Sequence, residues 1–304
     1  MPLNSNSDRL LWTIEHLRHS APDPLPANIR LAVLGDPISH SLSPEMQNAG
    51  LAVRAIPFQY TRLWVKIGEL AEVFSLLRER EFIGWNLTVP HKVTALGLVD
   101  VVDSTAGRVG AINTVVNRSG SLVGFNTDGV GLIAALHESF SLDFGNSRIA
   151  VLGAGGGAGM TAAISLLDKN PRQLLLANRT LAKLDRLRGA IGQDDTVSFW
   201  PWEKLGEVFA QADLIINASS VGLDGHPLDW DSHWLEPRHR IFDMMYGSKP
   251  TPVVSWAVAA GAAAIDGASM LLHQGTAAFR HWFGPPVPEA AMRHALFRNL
   301  ESRS

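Results

Sequence analysis

Residues 147–167 read SRIAVLGAGGGAGMTAAISLL. The short apolar run RIAVL leads directly into a turn of small residues, Gly153 to Gly159, and an apolar segment of helical length follows. Strand, glycine-rich turn and helix in this order let a backbone approach a pyrophosphate, whose charge is favoured by the helix N-terminus. Glycine clusters also occur in flexible loops, but here the flanking strand and helix supply the required context. The stretch therefore predicts a dinucleotide-binding domain.

Strand-like and helix-like patterns alternate through the rest of the chain. From residue 30, apolar runs such as RLAVLGD, FQYTRLWV and FIGWNLTV alternate with segments of helical spacing, and a second series begins near residue 147. Alternation of this kind predicts parallel sheets joined by right-handed crossovers. Because 304 residues are long for one core and comfortable for two, we predict two α/β domains with a boundary near residues 129–140.

The composition argues against several classes of protein. A net charge of −3 gives no electrostatic footprint for nucleic acid or an anionic membrane. No apolar run reaches the roughly 18–20 residues of a membrane span, and the N-terminus lacks the pattern of a signal peptide. The absence of cysteine excludes disulfides, thiol nucleophiles and cysteine zinc sites, and it suits a reducing compartment. We expect a cytoplasmic protein that binds no nucleic acid, membrane or metal.

The end of the strand after the glycine turn favours NADP over NAD. An NAD site usually offers Asp or Glu to the ribose about 20 residues after the glycines. Here the run LLLA ends in Asn178, Arg179 and Thr180, with Lys183 a turn further on and no acid among them. Arg and Lys can bind a 2′-phosphate. The alternative is that both are solvated charges, although cations at a helix start oppose its dipole unless an anion compensates.

Polar residues also collect at strand ends and turns of the first half. They are Ser41, Ser43, Asn86, Thr88, Lys92, Asn113, Asn126, Thr127 and Asp128. Ligands of parallel α/β sheets bind beyond the carboxyl ends of strands, and this set suits a small polyhydroxylated acid. Singly, each has a plainer interpretation: Ser43 as the N-cap of a helix with Pro44 at its first position, Asn113 as a partner of buried backbone, Asp128 as an N-cap. Their joint placement favours the functional interpretation.

Lys92 and Asp128 are the best candidates for a proton-handling pair. A dehydrogenase that moves hydride to or from a secondary alcohol needs a proton partner at the oxygen, and lysine can serve. A nearby carboxylate favours the charged lysine, whereas burial lowers the lysine pKa. The sequence leaves open which effect is larger.

With these motifs the chain resembles the shikimate dehydrogenase family, the NADP-dependent enzymes of the shikimate pathway, from about residue 30 almost to its end. The resemblance rests on nine motifs in the family's order: GDPISHSLSPEMQN, NLTVPHK, GAINTVV, GFNTDGVG, GAGGGAG, NRTLAK, INASSVG, DMMYGSKPTP and DGASMLLHQG. Nine ordered motifs are far more specific than the glycine turn alone.

The resemblance implies roles for individual residues. Lys92 would be the catalytic acid/base, with Asp128 as its partner. The substrate would be held by Ser41, Ser43, Thr88, Asn113, Asp128, Tyr246 and Gln274. The cofactor would be held by Gly153, Ala154, Gly155, Gly156, Gly157, Ala158, Asn178, Arg179, Thr180 and Lys183, and at its nicotinamide end by Ser219, Val221, Met244 and Gly267. For Tyr246 and Gln274 plain packing is the alternative, and only the resemblance selects them.

The resemblance also implies the domain plan. Residues 1–127 plus 268–304 would form the N-terminal substrate domain, and residues 128–267 a Rossmann-type NADP-binding domain, with a cleft between them and hinge closure on binding. Residues 1–29 lie outside the family core, as a disordered tail with a surface helix or as part of a dimer contact. Three departures stand out: Gly157-Ala158-Gly159 in the glycine turn, Ser219 where threonine is common, and His91 in place of the phenylalanine of some members.

The expected function is reversible reduction of 3-dehydroshikimate to shikimate by NADPH, a step toward chorismate and the aromatic amino acids, in a monomer or homodimer. One alternative is a quinate/shikimate or aminoshikimate dehydrogenase of the same family, although Ser41 and Ser43 favour shikimate. Another is a non-catalytic NADP-binding sensor, which would not need both Lys92 and Asp128. An unrelated two-domain dehydrogenase is possible on fold alone, but the HSLSP and NTDG motifs argue against it.

Overall fold

The computed structural model describes residues 11–18, 24–219 and 230–303. Its contacts divide the chain into two compact units. The first comprises Met1–Thr127 and Gly275–Asn299, and the second comprises Asp128–Gln274 and Leu300–Ser304. The domain limits predicted from the sequence, 1–127 plus 268–304 and 128–267, stay a prediction.

The chain alternates between strands and helices. The strands are β1 (Leu11–Thr13), β2 (Ile29–Gly35), β3 (Gln59–Trp64), β4 (Gly84–Leu87), β5 (Val101–Val102), β6 (Thr114–Arg118), β7 (Ser121–Phe125), β8 (Arg148–Leu152), β9 (Gln173–Asn178), β10 (Val197–Pro201), β11 (Leu214–Asn217), β12 (Arg240–Asp243) and β13 (Ala263–Ile265). The α-helices are α1 (Ile14–Leu17), α2 (Ser43–Val53), α3 (Leu70–Glu79), α4 (Ser104–Val109), α5 (Asp128–Phe140), α6 (Gly157–Leu167), α7 (Leu181–Ile191), α8 (Leu205–Gln211), α9 (Pro252–Ala259), α10 (Ala268–Phe283) and α11 (Glu289–Glu301).

The first unit contains a seven-stranded mixed sheet in the order β1-β3-β2-β4-β6-β7-β5. Strands β1, β3, β2 and β4 run parallel, whereas β6 pairs antiparallel with both β4 and β7. The hairpin between β6 and β7 turns through Ser119 and Gly120, both at positive φ, as the tight two-residue turns of hairpins require. The sequence predicted two strands around this Ser-Gly turn, but it did not predict that they make the sheet mixed.

The N-terminal extension contributes to a hydrophobic core of this unit. Trp85 is fully buried, and its ring meets Phe74 edge-on at 5.1 Å between centroids. Strand β1 pairs parallel with β3, and Ile14 and Leu17 are buried in the same core. For residues 11–18 the prediction of a disordered tail with a surface helix is therefore wrong. Residues 1–10 and 19–23 lie outside the described residues.

The second unit contains a six-stranded parallel sheet in the order β10-β9-β8-β11-β12-β13. Numbered within the unit, this order is 3-2-1-4-5-6, the strand order of the Rossmann fold. Neighbouring side chains of β8 enter opposite cores, with Ile149 on one face and Ala150 on the other, because successive side chains of a strand alternate in direction. The predicted Rossmann-type domain is confirmed.

Candidate active site

In the first unit, two loops meet where the strand order reverses. The chain passes from β2 to β3 on one side and then crosses to β4 on the other, so the loops after β2 and β4 leave the same sheet edge side by side. Asp36 N donates to Val89 O (3.0 Å), and Thr88 N donates to Leu34 O (2.9 Å). Ligands of open α/β sheets bind at such a switch point. Ser41, Ser43, Thr88 and Lys92 all belong to these two loops or to the start of α2.

The loop after β2 holds two buried serines close together. Ser41 Oγ lies 3.2 Å from Ser43 Oγ and accepts a hydrogen bond from Ser43 N (3.3 Å). Helix α2 begins at Ser43, with Leu42 as its N-cap residue and no side-chain cap bond. The alternative that Ser43 serves as the N-cap is therefore wrong by one residue. The hydrogen bond from the first helical amide, Ser43 N, goes to the Ser41 hydroxyl.

Arg62, which the sequence analysis missed, holds this serine loop in place. Its Nε donates to Ser41 O (2.7 Å), and its Nη2 donates to both carboxylate oxygens of Glu45 (2.5 and 2.7 Å). The Arg62 side chain is only 1% exposed. A buried guanidinium must keep such partners, because burying a charge without them is very costly. The serine loop is thus tied to β3 and α2 through one cation.

A buried polar network joins β4 to the start of β6 and the end of β7. Tyr60 OH donates to Asn86 Oδ1 (2.7 Å), and Asn86 Nδ2 donates to Thr114 Oγ1 (3.0 Å) and Asn113 O (3.1 Å). Asn113 Nδ2 donates to Thr127 Oγ1 (2.9 Å), and Thr127 N donates to Asn113 Oδ1 (2.7 Å). Burial raises the pKa of Tyr60 well above its usual value. The network fixes Asn113 and Thr127 at the sheet edge, and it shows Asn113 satisfying buried backbone.

Lys92 lies in the turn that follows β4. Its carbonyl accepts a hydrogen bond from Ile112 N (2.8 Å), which ties the turn to the chain just before Asn113. Its side chain is half-buried. The neighbouring His91 is buried, and its Nε2 lies 2.7 Å from Val65 O, so this nitrogen carries the proton in the neutral ring. Burial lowers the pKa of His91, which favours the neutral imidazole beside Lys92.

Asp128 is the first residue of α5 and belongs to the second compact unit. It is buried, with 7% of its surface exposed. A carboxylate in the first turn of a helix is favoured by the helix dipole. The structure therefore places Asp128 inside the first turn of the helix, next in the chain to the Thr127 of the polar network.

In the second unit, the glycine turn follows β8 and leads into α6. Gly153 has φ +82°, and a Cβ there would come within 2.9 Å of Ala218 O. A Cβ on Gly155 would overlap the Lys183 side chain, and one on Gly159 would overlap Gly153 O. Gly156 is the N-cap residue of α6 and carries no side chain over the helix start. The turn fits a pyrophosphate, because its small residues let an anion come close to the backbone amides at the N-terminus of α6.

The polar group predicted for the cofactor's adenosine phosphate stands at the end of β9. Asn178 Oδ1 accepts a hydrogen bond from Thr180 N (2.8 Å), and Thr180 is the N-cap residue of α7. Arg179 and Lys183 are exposed. The Arg179 guanidinium lies over the Trp202 ring, 5.3 Å from the ring centroid to Cζ. Within residues 178–183, two cations and no carboxylate thus stand at this strand end.

Two residues that the sequence analysis did not select organise the ends of β11 and β12. Asn217 pairs with Asp243 across the strands, and Asn217 Nδ2 donates to Asp243 Oδ1 (3.0 Å). Ser219 Oγ donates to Asn217 Oδ1 (2.6 Å), and Thr251 Oγ1 donates to Asp243 Oδ2 (2.6 Å). Burial raises the pKa of Asp243. The signal was available, because both apolar runs, LIIN and RIFD, end in a polar residue.

The remaining residues predicted for the nicotinamide end lie beside this pair. Met244 N donates to Asn217 O (3.0 Å), and Gly267 N donates to Met245 O (2.9 Å). A Cβ on Gly267 would overlap Met244 O. Val221 lies outside the described residues. Ser219, Met244 and Gly267 are thus brought together at one edge of the sheet.

Tyr246 and Gln274 complete the predicted set. Tyr246 is half-buried in the loop after β12. Gln274 lies in α10, is 8% exposed, and donates from Nε2 to Leu271 O (2.9 Å). Within the described part of the chain, no group of three or more His, Cys, Asp or Glu side chains could hold a metal ion. Across the same residues, no helix is long and apolar enough to cross a membrane.

Comparison with known proteins identifies the family. Three family models match: the shikimate dehydrogenase substrate binding domain over residues 33–115, shikimate/quinate 5-dehydrogenase over 135–223, and the shikimate 5′-dehydrogenase C-terminal domain over 267–297. The chain is 37% identical to "Shikimate dehydrogenase (NADP(+))" of Desulfitobacterium hafniense strain Y51, over 88% of this chain and 97% of that protein. The chain belongs to the shikimate dehydrogenase family.

Solved structures of the shikimate dehydrogenase family agree with this assignment. Shikimate dehydrogenase from Aquifex aeolicus has a TM-score of 0.82 at 31% identity, covering 90% of this chain and 99% of that one. Shikimate 5-dehydrogenase from Thermus thermophilus, solved in complex with NADP(H) and shikimate, has a TM-score of 0.78 at 34% identity, covering 89% and 99%. The family predicted from the nine motifs is confirmed, whereas the roles of single residues stay predictions.

Proposed function

We propose that this chain is an NADP-dependent shikimate dehydrogenase, an oxidoreductase that reversibly reduces the ring carbonyl of 3-dehydroshikimate to the alcohol of shikimate. The observation that carries the proposal is the 37% identity to an NADP(+) shikimate dehydrogenase over 88% of the chain. The geometry supports it, because the loops of Ser41 and Thr88 in the first unit and the glycine turn in the second unit follow strands at the switch point of each sheet, where ligands of such sheets bind.

NADP(H) fits the second unit. The glycine turn would take the pyrophosphate, because it leads into the N-terminus of α6 with Gly156 at the N-cap, where backbone amides and the helix dipole favour an anion. Arg179 and Lys183 would bind the 2′-phosphate, since charge-assisted hydrogen bonds to phosphate are strong and a guanidinium can make two of them. Ser219 and Met244 would line the nicotinamide end. Bound NADPH supplies the hydride.

The first unit would hold the acid substrate. Ser41 and Ser43 present two hydroxyls 3.2 Å apart, a spacing at which both can reach one carboxylate. The buried Arg62, paired with Glu45, holds the Ser41 carbonyl in place behind this position. Thr88 and Asn113 would bind ring hydroxyls from the neighbouring loop and strand. Tyr246 and Gln274 are proposed further contacts on the strength of the resemblance.

Lys92 is the proposed acid/base. In the direction of reduction, its ammonium donates a proton to the substrate oxygen as the carbonyl carbon receives the hydride, and the neutral amine regains a proton from solvent. In the reverse direction the amine accepts the hydroxyl proton. Asp128 is proposed as the carboxylate that supports the charged lysine and binds a substrate hydroxyl. A positioned acid/base of this kind contributes about 10²- to 10⁴-fold to the rate.

The alternatives from the sequence analysis are less well supported. Eight relatives at 34–39% identity all carry the name "Shikimate dehydrogenase (NADP(+))", whereas a quinate dehydrogenase from Corynebacterium glutamicum, solved with NAD, is 27% identical. A cytoplasmic location and a monomeric or homodimeric state are also proposals, the first supported by the absence of cysteine.

The test is NADPH oxidation by the purified chain with 3-dehydroshikimate as substrate. We expect turnover by the natural protein and a loss of about 10²-fold or more in kcat for Lys92→Ala. Lys169→Ala, which removes an exposed lysine, is the matched control and should leave kcat unchanged. Absence of turnover by the natural protein contradicts the proposed function, and a loss well below about 10²-fold for Lys92→Ala contradicts only the role of that lysine.

A further inference from the structure

We propose that Trp202 is the positioning residue that sets the preference of this chain for a 2′-phosphorylated cofactor, by holding the Arg179 guanidinium over the face of its indole ring. The inference rests on the proposed function, in which Arg179 binds the 2′-phosphate. It adds a residue that directly follows the next strand, β10, and that lies in none of the nine motifs.

The sheet brings the two residues together. Strands β9 and β10 are parallel neighbours, and their register places Asn178 opposite Pro201. Arg179 and Trp202 are the residues that follow immediately, so both leave the same sheet edge one step beyond this pair. Arg179 Cζ then lies 5.3 Å from the centroid of the Trp202 ring. This distance is within the range of about 6 Å over which a cation is attracted to an aromatic face.

Trp202 is anchored by its packing on the core of the second unit. The indole ring packs against the core formed on one face of the second unit's sheet, which includes Leu205 and Phe209. The Arg179 guanidinium lies over the face of this ring, and the Trp202 Nε1 is buried with no hydrogen-bond partner among the described residues. Arg179, by contrast, is exposed, and a long exposed side chain loses rotamer freedom when a ligand fixes it. The fixed ring reduces that loss.

The interaction between Trp202 and Arg179 increases the affinity for NADP and leaves the affinity for NAD unchanged. A guanidinium already held above a fixed ring is pre-organised to form paired hydrogen bonds with a phosphate monoester. A ribose hydroxyl at the same place gains little from it. Lys183 offers a flexible point charge that needs no such support. Trp202 therefore contributes to affinity only when the 2′-phosphate is present, which a purely structural tryptophan would not do.

The experiment measures NADP⁺ and NAD⁺ dissociation constants by calorimetry, so it does not depend on turnover. We expect Trp202→Leu to weaken NADP⁺ binding by about 3- to 10-fold and to leave NAD⁺ binding unchanged. Trp202→Phe, which keeps an aromatic face, should give an intermediate loss. The matched control is Trp200→Leu, because Trp200 packs on the same core while its Nε1 donates to Ser198 Oγ (2.8 Å). This control should leave the ratio of the NADP⁺ and NAD⁺ dissociation constants unchanged.

A double-variant cycle separates positioning from packing. In the Arg179→Met background, Trp202→Leu should cause no further loss of NADP⁺ affinity, because the residue it positions is absent. Equal losses for both cofactors, or an unchanged ratio in Trp202→Leu and Trp202→Phe, overturn the inference. If the natural protein binds NADP⁺ no better than NAD⁺, the proposed preference for NADP is also overturned. Failure of the Trp202 inference and failure of the proposed cofactor are therefore distinguishable.

Discussion

Removing the Arg62 side chain tests how the serine loop is held. Arg62→Met keeps the buried stem but deletes three hydrogen bonds, one to Ser41 O and two to the Glu45 carboxylate. Removing one partner of a buried ion pair costs about 3–5 kcal/mol. Glu45 keeps 16% of its side chain exposed and can be partly solvated, so we expect the lower end, about 3 kcal/mol. For a unit of this size that corresponds to a fall of about 6–12 °C in Tm.

The assay is thermal unfolding of the variant beside a matched control. Arg78→Met removes the cation of an exposed pair, in which Arg78 Nη2 lies 2.9 Å from Asp100 Oδ2 and the side chains are 40% and 44% exposed, so it should cost less than about 1 kcal/mol. Adding Glu45→Gln to Arg62→Met should recover part of the loss, because no uncompensated carboxylate remains. The KM for shikimate should rise in Arg62→Met, since Ser41 loses its support. A loss no larger than that of Arg78→Met would refute the reasoning.

Two further predictions concern the pH dependence of stability and the glycine turn. His91 has its pKa lowered by burial from 6.5, so below that pH the unfolded chain gains a proton that the folded chain does not. The free energy of unfolding should fall as the pH drops from about 7 to about 5.5. Denaturant unfolding should show a smaller fall for the His91→Phe variant over the same range. Gly155→Ala should destabilise the protein by about 1–3 kcal/mol through overpacking, whereas Gly157→Ala, with no atom within 4 Å of the added Cβ, should be neutral. Similar pH slopes for His91→Phe and the natural protein, or equal stability of the two alanine variants, would contradict these expectations.

The fold of the second unit was predictable because its signal is local. A strand, a turn of small residues and a helix within residues 147–167 suffice to indicate a dinucleotide-binding plan. The alternation that follows gives parallel strands, and parallel strands bring their carboxyl ends to one edge. Asn178 was found in this way, because it ends an apolar strand, whereas Ser219 was selected only through the resemblance to the family.

The residues that the sequence did not indicate depend on contacts distant along the chain. Arg62 interrupts an apolar run and suggests an exposed position, yet it is buried because Glu45, contributed by α2, approaches it. Residues 11–13 lie in a segment of helical appearance, but they form a strand because the edge of β3 offers unpaired backbone groups. Tertiary context overrode local pattern in both places. The nine motifs identified the family, although they gave no indication of Trp202 or of the bond between Asn217 and Asp243.

The central claim is that this chain oxidises shikimate with NADP⁺, and a matrix of initial rates tests it most directly. Shikimate and quinate are each combined with NADP⁺ and with NAD⁺, and kcat/KM is measured for the four pairs. We expect the highest kcat/KM for shikimate with NADP⁺, because we propose that Arg179 and Lys183 bind the 2′-phosphate and that Ser41 and Ser43 bind shikimate. A higher kcat/KM for quinate, or for NAD⁺, would contradict it.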